Sequence, residues 1–353
     1  MISGNLEMVE NKITDERLLT MLREAQSAAE DGAKLTGQLL AFGRKQPLNP
    51  KIVDIGQLVS GFSDLLRRTV GETIELRTVK TGAANEALVD GSQLQNAILN
   101  LTLNARDAMP RGGRLSIEIS RVKLDVDYAQ MYPHVRTGDY VLLSVTDNGT
   151  GMSNEVKQRA IEPFFTTKGV GSGTGLGLSM VYGFAKQSGG HLQIYSEEGQ
   201  GTSVRIFLPA IQFASDAAST SEAPLASNKT LPGGSETILA VEDDARVRRV
   251  AVSRLTDLGY AVIEAENGAE ALAKLRENTT IHLLFTDIIM PGGMTGDELA
   301  EIVRAERPEI KVLFTSGYAE PEIAGRELAA RGSWLKKPYT AKELAARVRE
   351  LLD

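Results

Sequence analysis

The chain has 353 residues, 39 Lys+Arg against 46 Asp+Glu, a net charge of −7, three histidines and no cysteine. That length accommodates two or three domains with separate cores, and the acidic balance offers no electrostatic footprint for nucleic acid or an anionic membrane. Without cysteine there is no disulfide framework, thiolate zinc site or thiol nucleophile, and His134, His191 and His282 share no metal-ligand spacing. No apolar run reaches the ~20 residues that span a bilayer and no signal pattern opens the chain, which predicts a cytoplasmic protein without direct membrane insertion. Chemistry then falls to carboxylates, amides, lysines and glycine loops.

In residues 15–46, Leu18, Leu22, Ala25, Ala29, Gly32, Leu35, Leu39 and Phe42 recur at alternating three- and four-residue steps, which predicts one amphipathic helix that Pro47 and Pro50 end. A shorter helical stretch, 2–10, precedes it. Residues 1–50 thus read as a helical hairpin with a short first arm. The small residues of the seam fit a homodimer contact or packing on the helix's own domain equally well. From 51 to 210 helices and strands mix. Asp54 caps a predicted helix carrying Leu58, Val59, Phe62, Leu65 and Leu66. Residues 92–109 form another helix, and strand alternation occurs at 74–76, 115–119, 140–145, 192–194 and 204–206. Strands without a helix between each pair predict an α+β sandwich. Residues 211–234, rich in Ala, Ser, Thr, Pro and Gly, read as a linker. In 235–353, strands at 237–241, 261–264, 281–285, 311–314 and 333–335, each followed by a helical segment, predict a small doubly wound (βα)5 unit with a parallel sheet.

On helix 92–109, Asn100, Asn104 and Asp107 fall at i, i+4 and i+7 along one face, beside an apolar face of Leu94, Ile98, Leu101 and Ala105. Such an oxygen stripe suits hydrated Mg²⁺ and phosphates, or it is a solvated helix face. The 140–145 strand runs into Asp147-Asn148-Gly149-Thr150-Gly151. The carboxylate of Asp147 can accept from an exocyclic amine, although alone the segment is also an ordinary turn. Five glycines in the nine residues 169–177 open onto a helix from about Leu178, a backbone anion site.

The order Asn100-x-x-x-Asn104, Asp147-x-Gly149-x-Gly151, Phe164-Phe165, Gly173-Thr174-Gly175-Leu176-Gly177-Leu178 and Gly201-Thr202 resembles the ATP-binding domain of sensor histidine kinases, of the GHKL or Bergerat type. That resemblance implies ATP and Mg²⁺ as cofactors. It implies that Asp147 reads the adenine amine with Thr202 assisting through water, and that Gly149 and Gly151 shape that turn. It also implies that Asn104, with Asn100, holds Mg²⁺ and phosphates, and that Gly173, Thr174, Gly175, Leu176 and Gly177 form a lid, with Lys168 a phosphate contact. Asn96 stands where hydrolytic relatives carry a glutamate base; an amide there cannot activate water, so hydrolysis is not the expected reaction.

In 235–353, Glu242 and Asp243 follow the first predicted strand and Asp287 the third, Thr315 ends the fourth and Lys337 follows the fifth, all at carboxyl ends of parallel strands. Converging carboxylates require a cation, and a carboxylate can attack phosphorus to give an acyl phosphate. This segment resembles a response-regulator receiver. By that likeness Asp287 is the phosphoacceptor, Glu242, Asp243, Asp287 and the Ile289 carbonyl bind Mg²⁺, Thr315 is the switch hydroxyl and Lys337 pairs with the phosphoryl group. Trp334 is either the aromatic position that responds to phosphorylation or a strand residue packing on the last helix.

The combination resembles a hybrid histidine kinase of two-component signalling, a phosphotransferase that dimerises through its hairpin. The stretch Ile2-Ser3-Gly4-Asn5-Leu6-Glu7 looks like the sequence following a phosphoacceptor histidine box, so that histidine is expected upstream or on a partner. Expected partners are a histidine-phosphotransfer protein, a partner kinase or a separate response regulator. The alternative is a non-enzymatic module that binds nucleotide and whose receiver is charged by a separate kinase.

Overall fold

The computed structural model describes residues 18, 19, 22, 49–82, 85–132, 134–169, 173–211, 231–278, 280–288, 290, 294–317 and 333–353. Apart from residues 18, 19, 22, 49 and 50, the expected hairpin lies outside the described residues, as do most of the linker, the helix expected after the fourth receiver strand and Ile289.

The first unit is built on a mixed sheet. Strands β2 (Ile74–Lys80), β4 (Gly113–Leu124), β5 (Gly138–Asp147), β6 (His191–Glu197) and β7 (Gly201–Pro209) lie in the order β2-β4-β5-β7-β6, with β2 and β4 parallel and the other pairs antiparallel. Two helices, α3 (Gly91–Ala108) and α6 (Gly177–Gln187), cover one face. Helix α3 starts where Asp90 accepts from the Ser92 and Gln93 amides, and it buries the predicted stripe of Leu94, Ile98, Leu101 and Ala105. The apolar face of β5 and β7, with Val141, Leu143, Val145, Val204, Ile206 and Leu208, closes the same core.

Three local features differ from the sequence expectation. The helix capped by Asp54 is two helices, α1 (Ile55–Gly61) and α2 (Ser63–Val70), broken at Phe62 just after Gly61, a poor helix former. A two-stranded ribbon of β1 (Lys51–Asp54) and β3 (Glu86–Val89) was not expected, nor were the single-turn helices α4 (Val126–Met131) and α5 (Asn154–Arg159).

The second unit is a parallel sheet in the order β12-β11-β10-β8-β9, from β8 (Thr237–Val241), β9 (Ala261–Ala265), β10 (Ile281–Asp287), β11 (Lys311–Ser316) and β12 (Ser333–Lys336). Helices α8 (Gly268–Glu277) and α9 (Gly296–Glu306) bury Leu272, Leu275, Leu299 and Val303 on one face. Helices α7 (Ala245–Asp257) and α10 (Ala341–Leu352) bury Leu255, Leu344 and Val348 on the other. This is the expected doubly wound arrangement. Among the described residues no helix is long and apolar enough to cross a membrane.

The two units meet. Arg254 of α7 donates to Asp125 Oδ2 (2.6 Å) and Asp127 Oδ2 (2.9 Å) beside α4, and Lys336 pairs with Glu118 of β4 at 2.9 Å. The outer face of the first sheet, with Ser144, Thr146, Ser203 and Arg205, is therefore buried although its strands alternate like half-exposed ones.

Candidate functional site

Asp147 ends β5 and is 6% exposed. Its Oδ1 accepts from the backbone N–H groups of Gly149 (2.9 Å) and Thr202 (3.3 Å). Burial pushes its pKa up to about 6, and those two amides only partly offset the rise. Gly151 beside it has φ +64 and lies so close to the Glu197 carbonyl that a Cβ would collide with it. Thr202 meets Asp147 through its backbone, while its hydroxyl lies 2.9 Å from Ser196 Oγ.

Helix α3 brings Asn100 and Asn104 toward the start of α6. A Cβ on Gly177 would stand 3.6 Å from Asn104 Nδ2 and 4.0 Å from Asn100 Cβ. Both amides thus border the first turn of α6, whose amides lie at the positive end of the helix. Leu176 is buried and precedes that turn, and Thr174 Oγ1 accepts from its amide at 3.4 Å. Gly175, at φ +65, accepts through its carbonyl from the Phe164 amide at 2.9 Å, so the phenylalanine pair anchors the end of the glycine loop. Gly173 borders Thr166 and Lys168. Lys168 Nζ is 2.5 Å from Asp107 Oδ2, which places it at the end of the α3 stripe in an ion pair that spacing did not suggest. Desolvation works against the Asp107 charge, but Lys168 and Arg106 together hold its carboxyl below the usual range.

In the parallel sheet, Asp287 and Thr315 are paired across β10 and β11, and Glu242, Asp243 and Lys337 follow β8 and β12, so all reach one edge. Glu242, Asp243 and Asp287 each offer a carboxylate oxygen within 4.8 Å of the others. Lys337, 5% exposed, spans Glu242 Oε2 (2.5 Å) and Asp287 Oδ2 (2.7 Å). Burial pushes Glu242 up to about 8 even with Lys337 beside it, and burial followed by Asp287 pushes Asp243 up. Burial works against the Lys337 charge, but Asp287 and Glu242 more than offset it and hold its pKa well above the ordinary value. An all-oxygen donor set in which buried acids outnumber the one ammonium fits a hard divalent cation. Thr315 is buried, and its hydroxyl donates to the Thr286 carbonyl at 3.4 Å. Trp334 packs on Phe314, with ring centroids 5.4 Å apart.

Residues that sequence reasoning passed over also border this edge. Tyr195, Glu197 and Lys157 of the first unit line a cleft of about 530 Å³ with Glu242, Asp243 and Asp287. Arg205, fully buried, donates to the Lys337 carbonyl. The alternation of β6 puts Tyr195 and Glu197 on one face, but nothing local says what they face.

Residues 89–212 match the family described as histidine kinase-, DNA gyrase B- and HSP90-like ATPase, and residues 238–349 match the response regulator receiver domain. The chain is 38% identical over 358 residues to the sensor kinase CckA of Brucella abortus (strain 2308), covering all of this chain and 38% of that protein. It is 27% identical over 297 residues to histidine kinase P4 of Formosa agariphila, covering 75% of this chain and 20% of that protein. The chain thus spans well under half the length of these relatives. A solved structure, full-length ShkA in complex with AMPPNP, is 21% identical with a TM-score of 0.48, covering all of this chain and 69% of that one. With a histidine-kinase-type ATPase domain followed by a receiver, and a match to a sensor kinase along the whole of this chain, this chain belongs to the hybrid histidine kinases.

Proposed function

We propose that this chain binds Mg-ATP through Asp147, Asn100, Asn104 and the glycine loop, and that its receiver accepts a phosphoryl group on Asp287 in a cytoplasmic two-component relay. The observation that carries the reading is the strand-end cluster in which Lys337 bridges Asp287 and Glu242. Asp147 accepts the adenine amine, and Thr202 holds that carboxylate through its amide. Gly149 and Gly151 bring the backbone close to the ring. The Asn100 and Asn104 amides, the first turn of α6 and Lys168 receive the phosphates, with Gly173, Thr174, Gly175, Leu176 and Gly177 closing over them. Lys168 leaves Asp107 to do so.

A carboxylate oxygen of Asp287 attacks the phosphorus of a phosphohistidine. The new P–O bond forms as the P–N bond breaks, and the imidazole leaves with a proton. Lys337 offsets charge on the phosphoryl oxygens, and the Thr315 hydroxyl turns from the Thr286 carbonyl toward them. Glu242, Asp243 and Asp287, with the expected help of the Ile289 carbonyl, would hold a magnesium ion, which would supply positive charge to the phosphoryl oxygens. The histidine resides on a dimerisation hairpin or on a partner such as a histidine-phosphotransfer protein.

Incubation with γ-labelled ATP tests this reading. Once a histidine-bearing hairpin is supplied, acid-labile label is expected on the hairpin in the wild type and in Asp287→Ala alike, and hydroxylamine-sensitive label on this chain only where Asp287 is intact. Hydroxylamine-sensitive label on this chain that persists in Asp287→Ala contradicts it.

A further inference from the structure

The side chains between the two units have no role in either site. Arg205 on β7 is wholly buried, yet among the described residues only Nη1 finds a partner, the Lys337 carbonyl; Nε and Nη2 find none there. Its guanidinium lies over the Tyr195 ring, 4.9 Å from the centroid. Tyr195 in turn packs so closely on Gly317, at the end of β11, that a Cβ there would approach its ring to 2.5 Å. Glu197 lines the cleft over the phosphoacceptor edge, and its buried Oε2 has no partner among the described residues.

We propose that the outer face of the ATP-domain sheet is a reversible cap over the phosphoacceptor pocket, released when Asp287 becomes charged; this rests on the reading of Asp287 as phosphoacceptor. Two physical arguments support it. The first is access. A cleft of about 530 Å³ admits a small phosphodonor, whereas a histidine carried on a helix must bring an element about 10–12 Å wide to the same edge. The second is charge. An acyl phosphate carries about −1.5 to −2 elementary charges where the Asp287 carboxylate carries one, so the edge opposite Glu197 gains roughly −0.5 to −1. Burial, then Asp243 and Asp287, already push the Glu197 carboxyl up against the opposing Lys157, so that carboxylate faces the edge that would gain the charge.

Among the described residues the polar contacts that hold the cap are Arg254 with Asp125 and Asp127, Lys336 with Glu118, and Arg205 with the Lys337 carbonyl, beside the packing of Tyr195 on Gly317 and of Arg246 over the Tyr132 ring. Unpartnered buried atoms on Arg205, Glu197 and Glu118 oppose them. Such a contact is poised rather than permanent. The hairpin that bears Tyr195 and Glu197 also bears Thr202, whose amide holds Asp147, so cap and nucleotide site share one element.

The chain has no cysteine, so a Glu118→Cys/Lys336→Cys pair reports the cap through a short bismaleimide cross-link, with Arg254 and its two aspartates still holding it. Intramolecular cross-linking is expected to be efficient without ligand. It should fall about tenfold when Mg²⁺ and beryllium fluoride mimic the acyl phosphate, and to a similar extent when Asp125→Asn and Asp127→Asn are added. Asp125 caps α4 through its side-chain oxygen, and asparagine caps helices as well as aspartate does, which keeps α4 folded in that variant. Inefficient cross-linking without ligand overturns the cap. Efficient cross-linking that ignores beryllium fluoride, in a chain whose Asp287 takes label from acetyl phosphate, overturns the release. Absence of acetyl phosphate label on Asp287, in both the wild type and the Asp125→Asn/Asp127→Asn variant, overturns the phosphoacceptor reading instead.

Discussion

Two buried aspartates, each at the end of a strand, carry opposite kinds of site. Asp147 stands alone, its charge met by two backbone amides, and burial raises it to about 6. Asp287 sits among Glu242 and Asp243 with Lys337 between them, and the neighbouring Glu242 is pushed up to about 8. A solitary acceptor held by fixed dipoles suits a neutral donor such as an exocyclic amine. A cluster with more acids than ammonium groups suits a hard cation and then a phosphoryl group. What differs is the company of the carboxylate, since both are almost equally buried.

Substitutions should separate the two cleanly. The largest effect is expected from Asp287→Ala, which removes the proposed nucleophile. Acyl-phosphate label from acetyl phosphate should fall by about 10³-fold or more, with nucleotide affinity unchanged by calorimetry. Next is Asp147→Asn, which trades a charged acceptor for an amide. Affinity for a non-hydrolysable ATP analogue should drop about 10- to 100-fold while receiver labelling persists.

Lys337→Ala leaves the acids without their ammonium. The thermal midpoint should then rise with added Mg²⁺ by about 2–4 °C per kcal/mol of cation binding, more than in the wild type. An equal response in both proteins would argue that the acids hold no cation.

The smallest effect is on pH. Because the folded pKa of Asp147, about 6, exceeds its ordinary value of 3.8, the folded state holds the extra proton between those values. The stability of the first unit should therefore decline as pH rises through that window. Analogue affinity should run the other way, weakening a few-fold as pH falls through about 6, and the dependence should vanish in Asp147→Asn.

Local rules made much of this legible. Asp54 caps a helix as its position in the sequence suggests, and the apolar stripe of α3 is the buried one. Parallel strand ends gather Glu242, Asp287 and Lys337 because the alternation of strands and helices leaves them no other edge. Contacts between distant segments were not legible. The Lys168–Asp107 pair joins residues far apart in sequence. Ser144, Thr146, Ser203 and Arg205 are polar yet buried, and Arg205 reaches the Lys337 carbonyl of the receiver, a fact of domain packing that strand alternation cannot encode. The β1–β3 ribbon escaped for another reason: its strands are four residues long, and apolar residues stand on both faces, Ala87 and Val89 buried but Ile52 and Leu88 more than half exposed, so no apolar–polar alternation marks it.

The most direct test of the central claim is to charge the full chain with acetyl phosphate and Mg²⁺ and map the modification by mass spectrometry of its peptides. A single hydroxylamine-sensitive phosphoryl group on the peptide containing Asp287, absent in Asp287→Ala and unchanged in Asp147→Asn, is the result expected. No modification, or one on a different residue, would contradict the assignment of Asp287 as the phosphoacceptor.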